Sequence, residues 1–167
     1  MGYTTEFDGQ VKVTPPLNKQ EIDFLRNFSD SRRMDRTKGP YYMGSGFSGQ
    51  DREEDIINYN SPPKGQPGLW CQWIPSADGS AIEWNGAEKF YSSEGWMQYL
   101  IEHFIGSNPI AKQVDPEQFS FLQSHTLNGK IGAQGDDHED KWTLIVTDNT
   151  VTTRDEEPDE YDEEEED

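Results

Sequence analysis

Three histidines and a single cysteine are the side chains of this sequence best suited to acid–base, metal or nucleophilic chemistry. Imidazole titrates near neutral pH and ligates transition metals, so His103, His125 and His138 each have to be placed. His103 stands between Glu102 and Phe104, off the main apolar stripe of an amphipathic segment, where a histidine at the boundary of a core would sit. His125 has no recognisable frame around it. His138 falls in Asp136-Asp137-His138-Glu139-Asp140, a run rich in oxygen and nitrogen donors. Consecutive residues cannot all turn inward, and the alternating ligands and terminal bidentate glutamate of a calcium loop are missing, so the run reads as a solvated loop. Cys71 can form neither an internal disulfide nor a thiolate cluster, and Trp70 and Trp73 give it an apolar setting that raises its pKa and quiets it as a nucleophile. No Gly-x-Ser-x-Gly elbow occurs, and no Lys-Ser or Lys-Thr pair follows Gly44-Ser45-Gly46, so neither a serine hydrolase nor a phosphate loop is indicated. The expectation is a protein without metal or cofactor, leaning away from an enzyme.

Charge gives a sharper signal. The 167 residues include 33 acidic and 14 basic ones, a formal net charge of −19. Eleven of the acids, Asp155, Glu156, Glu157, Asp159, Glu160, Asp162, Glu163, Glu164, Glu165, Glu166 and Asp167, lie in the last thirteen positions with no base among them. Like charges repel along such a run and Pro158 interrupts a helix, so the sequence predicts a disordered acidic tail over 155–167 behind a single domain over 1–154. The one net-basic island runs from Ser29 to Lys38 and carries Arg32, Arg33, Arg36 and Lys38 against Asp30 and Asp35. These cations either complement the dipole at a solvated helix end or dock an acidic group, the tail of the same molecule included. Asp51 and Arg52 in the loop 42–52, with Lys64 and Trp70 in or beside the Pro-Gly-rich connector 61–68, are the other candidate binding residues. A chain this acidic repels phosphate backbones, so direct nucleic-acid binding is not expected and a basic protein is the expected partner.

The elements that position these residues can be read from periodicity. Phe7, Val11 and Val13 mark a strand over 5–13, with Gly9 as a bulge candidate and Pro15-Pro16 as its end. Asn18 and Glu21 have the spacing of a capping box, and Ile22, Leu25 and Phe28, widened by Phe24, form the apolar stripe of the helix that follows. A short strand is predicted at 41–43, while 51–60 fits helix or strand equally. Segments 69–74 and 81–84 read as a strand pair joined by a turn containing Asp78-Gly79. The best helix covers 94–105, capped by Ser92 or Ser93, with Met97, Leu100, Ile101, Phe104 and Ile105 on one face and Gly106 as its stop. A short helix over 115–123 and a meander of strands over 126–133, 142–148 and 151–154 complete the chain, with Asp148-Asn149 as a tight turn. The predicted class is α+β: a mainly antiparallel sheet with one long amphipathic helix and an N-terminal helix packed on it.

Leu, Ile, Val and Phe supply only 30 of the 167 residues, but aromatic residues reach 12%, so rings have to provide much of the packing volume. No stretch approaches the ~20 apolar residues of a membrane span, and the N-terminus lacks the basic and apolar regions of a signal peptide. No membrane association and a cytoplasmic location are therefore expected.

Several blocks of the sequence resemble a known group. They are Tyr41-Tyr42-x-Gly-Ser-Gly, Gly49-Gln50-Asp51-Arg52, the long run from Pro62 through Trp73, Ala81-Ile82-Glu83-Trp84 and Glu88-Lys89-Phe90-Tyr91, with Gly2-Tyr3-Thr4-Thr5 and Arg32-Arg33-Met34 upstream. In these the chain resembles small uncharacterised proteins found in bacteria and their phages, over about residues 1–105 and the final meander. The resemblance implies no activity. The segment between Arg36 and Tyr41 is shorter here than in the bacterial forms, and the acidic tail departs from them, which points to a role special to this member, in a host cytoplasm if it is phage-borne. The function expected is binding without catalysis: an interaction module or inhibitor that acts on a basic, nucleic-acid-binding host protein by acidic charge mimicry. Two alternatives stand beside it, a small-ligand protein or enzyme using the 42–52 loop and the connector as a pocket, and a structural or assembly component of a phage particle.

Overall fold

The structure is a computed structural model that describes residues 3–158. Its centre is β1 (Thr5–Thr14), in which Phe7, Val11 and Val13 are buried while Glu6, Asp8, Gln10 and Lys12 face solvent, the period-2 alternation of a half-covered strand. β1 pairs on one side with β5 (Ala81–Trp84), which in turn pairs with β4 (Trp73–Pro75). On its other side it pairs with β6 (Thr126–Gly135), which leads on to β7 (Lys141–Thr147) and β8 (Thr150–Asp155). All five pairings are antiparallel, giving one six-stranded sheet in the order β4-β5-β1-β6-β7-β8. The register between β1 and β6 runs unbroken from Thr5↔Gly135 to Thr14↔Thr126, so Gly9 makes no bulge against β6. Its φ of +122° and a space in which a Cβ would lie 2.7 Å from the Lys130 carbonyl explain why the position is glycine.

Helix α1 (Lys19–Ser29) starts as its sequence predicts. The Asn18 side chain accepts from the Glu21 amide and Glu21 accepts in return from the Asn18 amide, and Leu25 and Phe28 are buried. The meander also forms as expected, turning at Asp148 (φ +46°) and Asn149 (φ +71°), both in the left-handed region that a two-residue hairpin of the primed type needs. Rings fill the core. Phe7 sits edge-on to Trp73, Trp84, Phe90 and Trp142, with centroids 5.2–6.1 Å apart, and a second group joins Phe24, Phe28, Phe104 and Phe119.

Five expectations need correction. The segment 94–105 is no single long α-helix: α2 (Ser93–Leu100) passes into a π-turn at Ile101–Ile105, closed by the Gly106 amide donating to the Ile101 carbonyl at 2.7 Å. The wider turn still buries Ile101, Phe104 and Ile105, and the His103 ring lies 3.8 Å from that of Tyr99 in a stacked pair. Ser92 is the N-cap residue, but it is left-handed (φ +57°) and its side chain makes no capping bond. The strand expected from residue 69 begins only at Trp73, because the preceding carbonyls are engaged elsewhere: Leu69 accepts from the Arg33 amide and Cys71 from the Ser29 hydroxyl. The strand expected at 41–43 is replaced by a turn and irregular chain, since the Pro40 and Tyr42 carbonyls are bound by Arg33. The short helix falls upstream of 115–123, as α3 (Ile110–Val114).

A small second ladder, β2 (Asp35–Arg36) with β3 (Ile56–Asn58), resolves the ambiguous 51–60 segment in favour of a strand. At the C-terminal end, Asp155 closes β8 opposite Trp142, one residue beyond the expected limit of the domain. Glu156 follows it with its amide on the Lys141 carbonyl (2.8 Å) and its carboxylate on Thr143 (2.7 Å) and Arg154 (2.8 Å). The rest of the expected tail, residues 159–167, lies outside the described residues.

Candidate functional site

The basic island folds into a hub that ties down the irregular chain between Thr37 and Leu69. Arg33 is 1% exposed. Its guanidinium lies 4.3 Å from the centre of the Phe28 ring and donates to the carbonyls of Pro40 (3.2 Å) and Tyr42 (2.9 Å), while Nε has no protein partner. Burial draws its pKa down to about 10, so it keeps its charge at neutral pH. Arg36, also buried, bonds Glu53 and Asp55 at 2.9 Å each and the Gly49 carbonyl at 3.2 Å. The hydrogen bond from Arg36 holds the Glu53 carboxyl below the ordinary carboxylate range. Arg32 binds the Tyr59 carbonyl and Asn60 and lies over the Tyr59 ring, on which Arg52 also stacks at 4.1 Å. Lys38 reaches over Tyr42. The charge of Arg33 and Arg36 is thus spent inside the fold, and that of Arg32, Lys38 and Arg52 is laid on tyrosine faces.

The loop 42–52 and the connector line separate cavities. One, of about 630 Å³, is bounded by Asn27, Asp30, Met43, Phe47 and neighbouring backbone. Asp51 packs against Gly46 at the root of that loop, its amide on the Ser45 carbonyl. The other, of about 490 Å³, is lined mostly by apolar groups of Pro62, Pro67, Leu69, Trp70 and Tyr91, with Lys89 and Glu88 at its edge. Lys64 is exposed on the connector between the two prolines. Of the residues singled out in the sequence, only Trp70 lines the apolar cleft, and Tyr91 joins it there although only its place in the Glu88–Tyr91 block had drawn notice.

Sequence reasoning missed two buried polar groups. Glu21, besides capping α1, holds His125 at 2.9–3.0 Å and accepts from the Gln123 amide, while the other ring nitrogen of His125 faces the Pro15 carbonyl at 2.7 Å. Tyr41 meets His103 Nδ1 at 2.6 Å, and Gln66 donates to both Tyr99 and Pro40. Burial lowers the His103 pKa and raises those of Tyr41 and Tyr99, so this cluster is neutral near pH 7. The capping-box glutamate carried no sign of a second role, since its partner lies 104 residues away. Cys71 is fully buried, with its thiol pushed up to about 12 by desolvation, the state of an inert packing residue.

The Asp136–Asp140 loop is held by Tyr3 on Asp140 (2.6 Å) and by the Thr4 amide on Asp136 (3.0 Å). Among the described residues, no three His, Cys, Asp or Glu side chains are placed to hold a metal ion, and no helix is long and apolar enough to cross a membrane. Compared with known proteins, the chain matches no family model, no curated protein and no solved structure. The class of the protein therefore rests on its own geometry: an α+β domain with an aromatic core, a braced loop and an apolar cleft at Trp70.

Proposed function

We propose that the protein is a non-catalytic binding module whose acidic surface engages a basic, nucleic-acid-binding protein, a host protein if the chain is phage-borne. One observation carries this reading: acids outnumber bases on the solvent-facing side of the folded body itself, because the two buried arginines, Arg33 and Arg36, are matched by two buried acids, Glu21 and Asp55, and leave the acidic excess at the surface. Residues 3–158 hold 14 basic and 25 acidic side chains; two of the bases, Arg33 and Arg36, and two of the acids, Glu21 and Asp55, are buried, which leaves 12 bases against 23 acids. The folded body thus supplies carboxylates on a fixed scaffold independently of residues 159–167. Complementary charge of this kind speeds encounter with a basic partner and weakens with salt.

The test compares the full chain with one ending at Pro158, each immobilised and exposed to a host-type lysate, with duplex DNA as competitor. A basic nucleic-acid-binding protein retained by both chains and displaced by DNA is the expected result. Retention of no basic protein by either chain overturns the reading. A second reading, a small-ligand protein, is favoured by the apolar cleft at Trp70, because such clefts with a few polar groups at the edge are the usual form of ligand sites.

A further inference from the structure

The sequence holds two Asn-Gly pairs, Asn85-Gly86 and Asn128-Gly129. In such a pair the backbone nitrogen of the glycine can attack the side-chain amide carbon of the asparagine, because no side chain crowds the nitrogen and glycine is free to bring it up. The outcome depends on where the fold points the two groups, and the fold treats the two pairs in opposite ways.

Asn85 follows β5 and opens an exposed stretch over 85–89. Its side chain turns back along its own chain, where Oδ1 accepts from the Ala87 amide at 2.9 Å, so the side-chain amide is held beside the Gly86 peptide that lies between. That hydrogen bond draws electron density from Cγ and sets a fixed donor at the oxygen on which negative charge develops during attack. Gly86 has a φ of +86° and open space where a Cβ would stand, which leaves room for a ring to close. Asn128 is the reverse case. It lies within β6, with Gly129 opposite Val11 on one side and Val146 on the other. Its side chain reaches away to Asp148, accepting from the amide at 2.8 Å and donating to the carboxylate at 3.2 Å, and a Cβ at Gly129 would lie 2.7 Å from the Gln10 carbonyl.

We propose that Asn85 is a site of spontaneous deamidation, whereas the sheet protects Asn128. The Gly86 nitrogen bonds to Asn85 Cγ and gives up its proton, Nδ2 takes up a proton and leaves as ammonia, and a succinimide ring results. Water then opens the ring. Cleavage of the new Cγ–N bond gives aspartate; cleavage of the original peptide C–N bond gives isoaspartate, in which the chain runs through the side chain and is longer by a methylene. Either product adds a negative charge to the −19 of the chain. The site bears on the apolar cleft: the Asn85 amide donates to the Gln72 carbonyl (3.0 Å) and Gln72 Nε2 donates to the Glu88 carbonyl (3.2 Å), strapping 85–88 to a cleft lined by Glu88, Lys89 and Tyr91. Isoaspartate at position 85 lengthens that strap, so the rim of the cleft changes as the molecule ages, whichever partner the protein binds.

The full chain, incubated at mildly alkaline pH and sampled over time, tests this by peptide mapping with mass spectrometry and by enzymatic methylation of isoaspartate. Asn85 is expected to convert at least about tenfold faster than Asn128, because Asn128 must first break its bonds to Asp148 and the ladder around Gly129. In denaturant the two are expected to convert at similar rates. Asn85→Gln, at an exposed position, should abolish the acidic form that accumulates on ion exchange. In aged wild-type protein the amide signals of Gln72 and of 86–91 should shift while those of β7 and β8 stay in place. Equal or reversed rates in the folded chain, or an Asn85 that stays intact while the denatured chain converts, overturn the proposal. A preference for Asn85 that persists in denaturant overturns it equally, since the fold is then not its cause, and unshifted signals at Gln72 and 86–91 overturn the link to the cleft.

Discussion

His125 has an acceptor at each ring nitrogen, the Pro15 carbonyl at Nδ1 and the Glu21 carboxylate at Nε2, and only the imidazolium can donate to both. Burial works against that charge, but the Glu21 and Pro15 hydrogen bonds outweigh it and hold the pKa above the ordinary histidine value. A raised folded pKa contributes stability that is complete below the unfolded value of ~6.5 and is lost as pH rises through the folded value. His103 has the opposite sign: its lowered pKa makes the fold lose stability as pH falls below ~6.5. Urea unfolding at a series of pH values should therefore give a maximum near pH ~6.5. Glu21→Gln should cost about 3–5 kcal/mol at that maximum, because it leaves a buried imidazole facing an amide in place of a carboxylate. It should also flatten the alkaline limb, because the carboxylate that helps to raise the His125 pKa is gone, and leave burial opposed only by the Pro15 hydrogen bond, so that stability falls more steeply on the acid side. A variant that keeps the alkaline limb would show that the pair does not govern it.

At the scale of elements, the hub around Arg33 and Arg36 decides whether the chain between Thr37 and Leu69 is structured at all. That stretch holds only the three-residue strand β3 and a single 3-10 turn at Phe47–Gly49, so side chains replace the backbone ladders that would otherwise fix it. Arg36→Met leaves Asp55 buried without its cation, a change worth about 3–5 kcal/mol. The loss should fall on the local unit: hydrogen exchange is expected to accelerate at 35–58 while the amides of β1 and β6 keep their protection. Uniform acceleration across the sheet would mean that the hub and the sheet unfold together. The same contrast explains what was legible in the sequence. β1, α1 and the meander could be read because their signals are local: alternation in β1, the Asn18–Glu21 box, and the Asp148-Asn149 turn. The hub could not, because its cations bind carbonyls and carboxylates up to 28 residues away, and a run of arginines beside a helix end looks alike whether solvated or buried. The π-turn after Leu100 was equally hidden, since apolar spacing of three and four residues does not distinguish it from an α-helix that merely ends at Gly106. Of the candidate site, the sequence singled out Trp70 and the glycine loop, but not that they serve separate cavities.

For the whole molecule, the balance lies between a sheet that closes at Glu156 and a charge that pushes the chain apart. A chain ending at Arg154 would lose the Asp155 position opposite Trp142 and every bond that Glu156 makes to Lys141, Thr143 and Arg154. A chain ending at Pro158 keeps all of these and sheds eight carboxylates, so its formal charge is −11 in place of −19. Self-repulsion of like charges destabilises a compact state and is screened by salt. Thermal melts at low salt should therefore place the chain ending at Pro158 at or above the full chain, and the chain ending at Arg154 below it by about 2–4 °C. Adding salt should raise the full chain toward the Pro158 form, because that difference is electrostatic. It should leave the deficit of the Arg154 form in place, because that deficit comes from lost pairing at the end of β8. If the Arg154 and Pro158 forms melt together, the Glu156 anchor adds nothing to the cooperative unit, and the folded body ends where the acidic run begins.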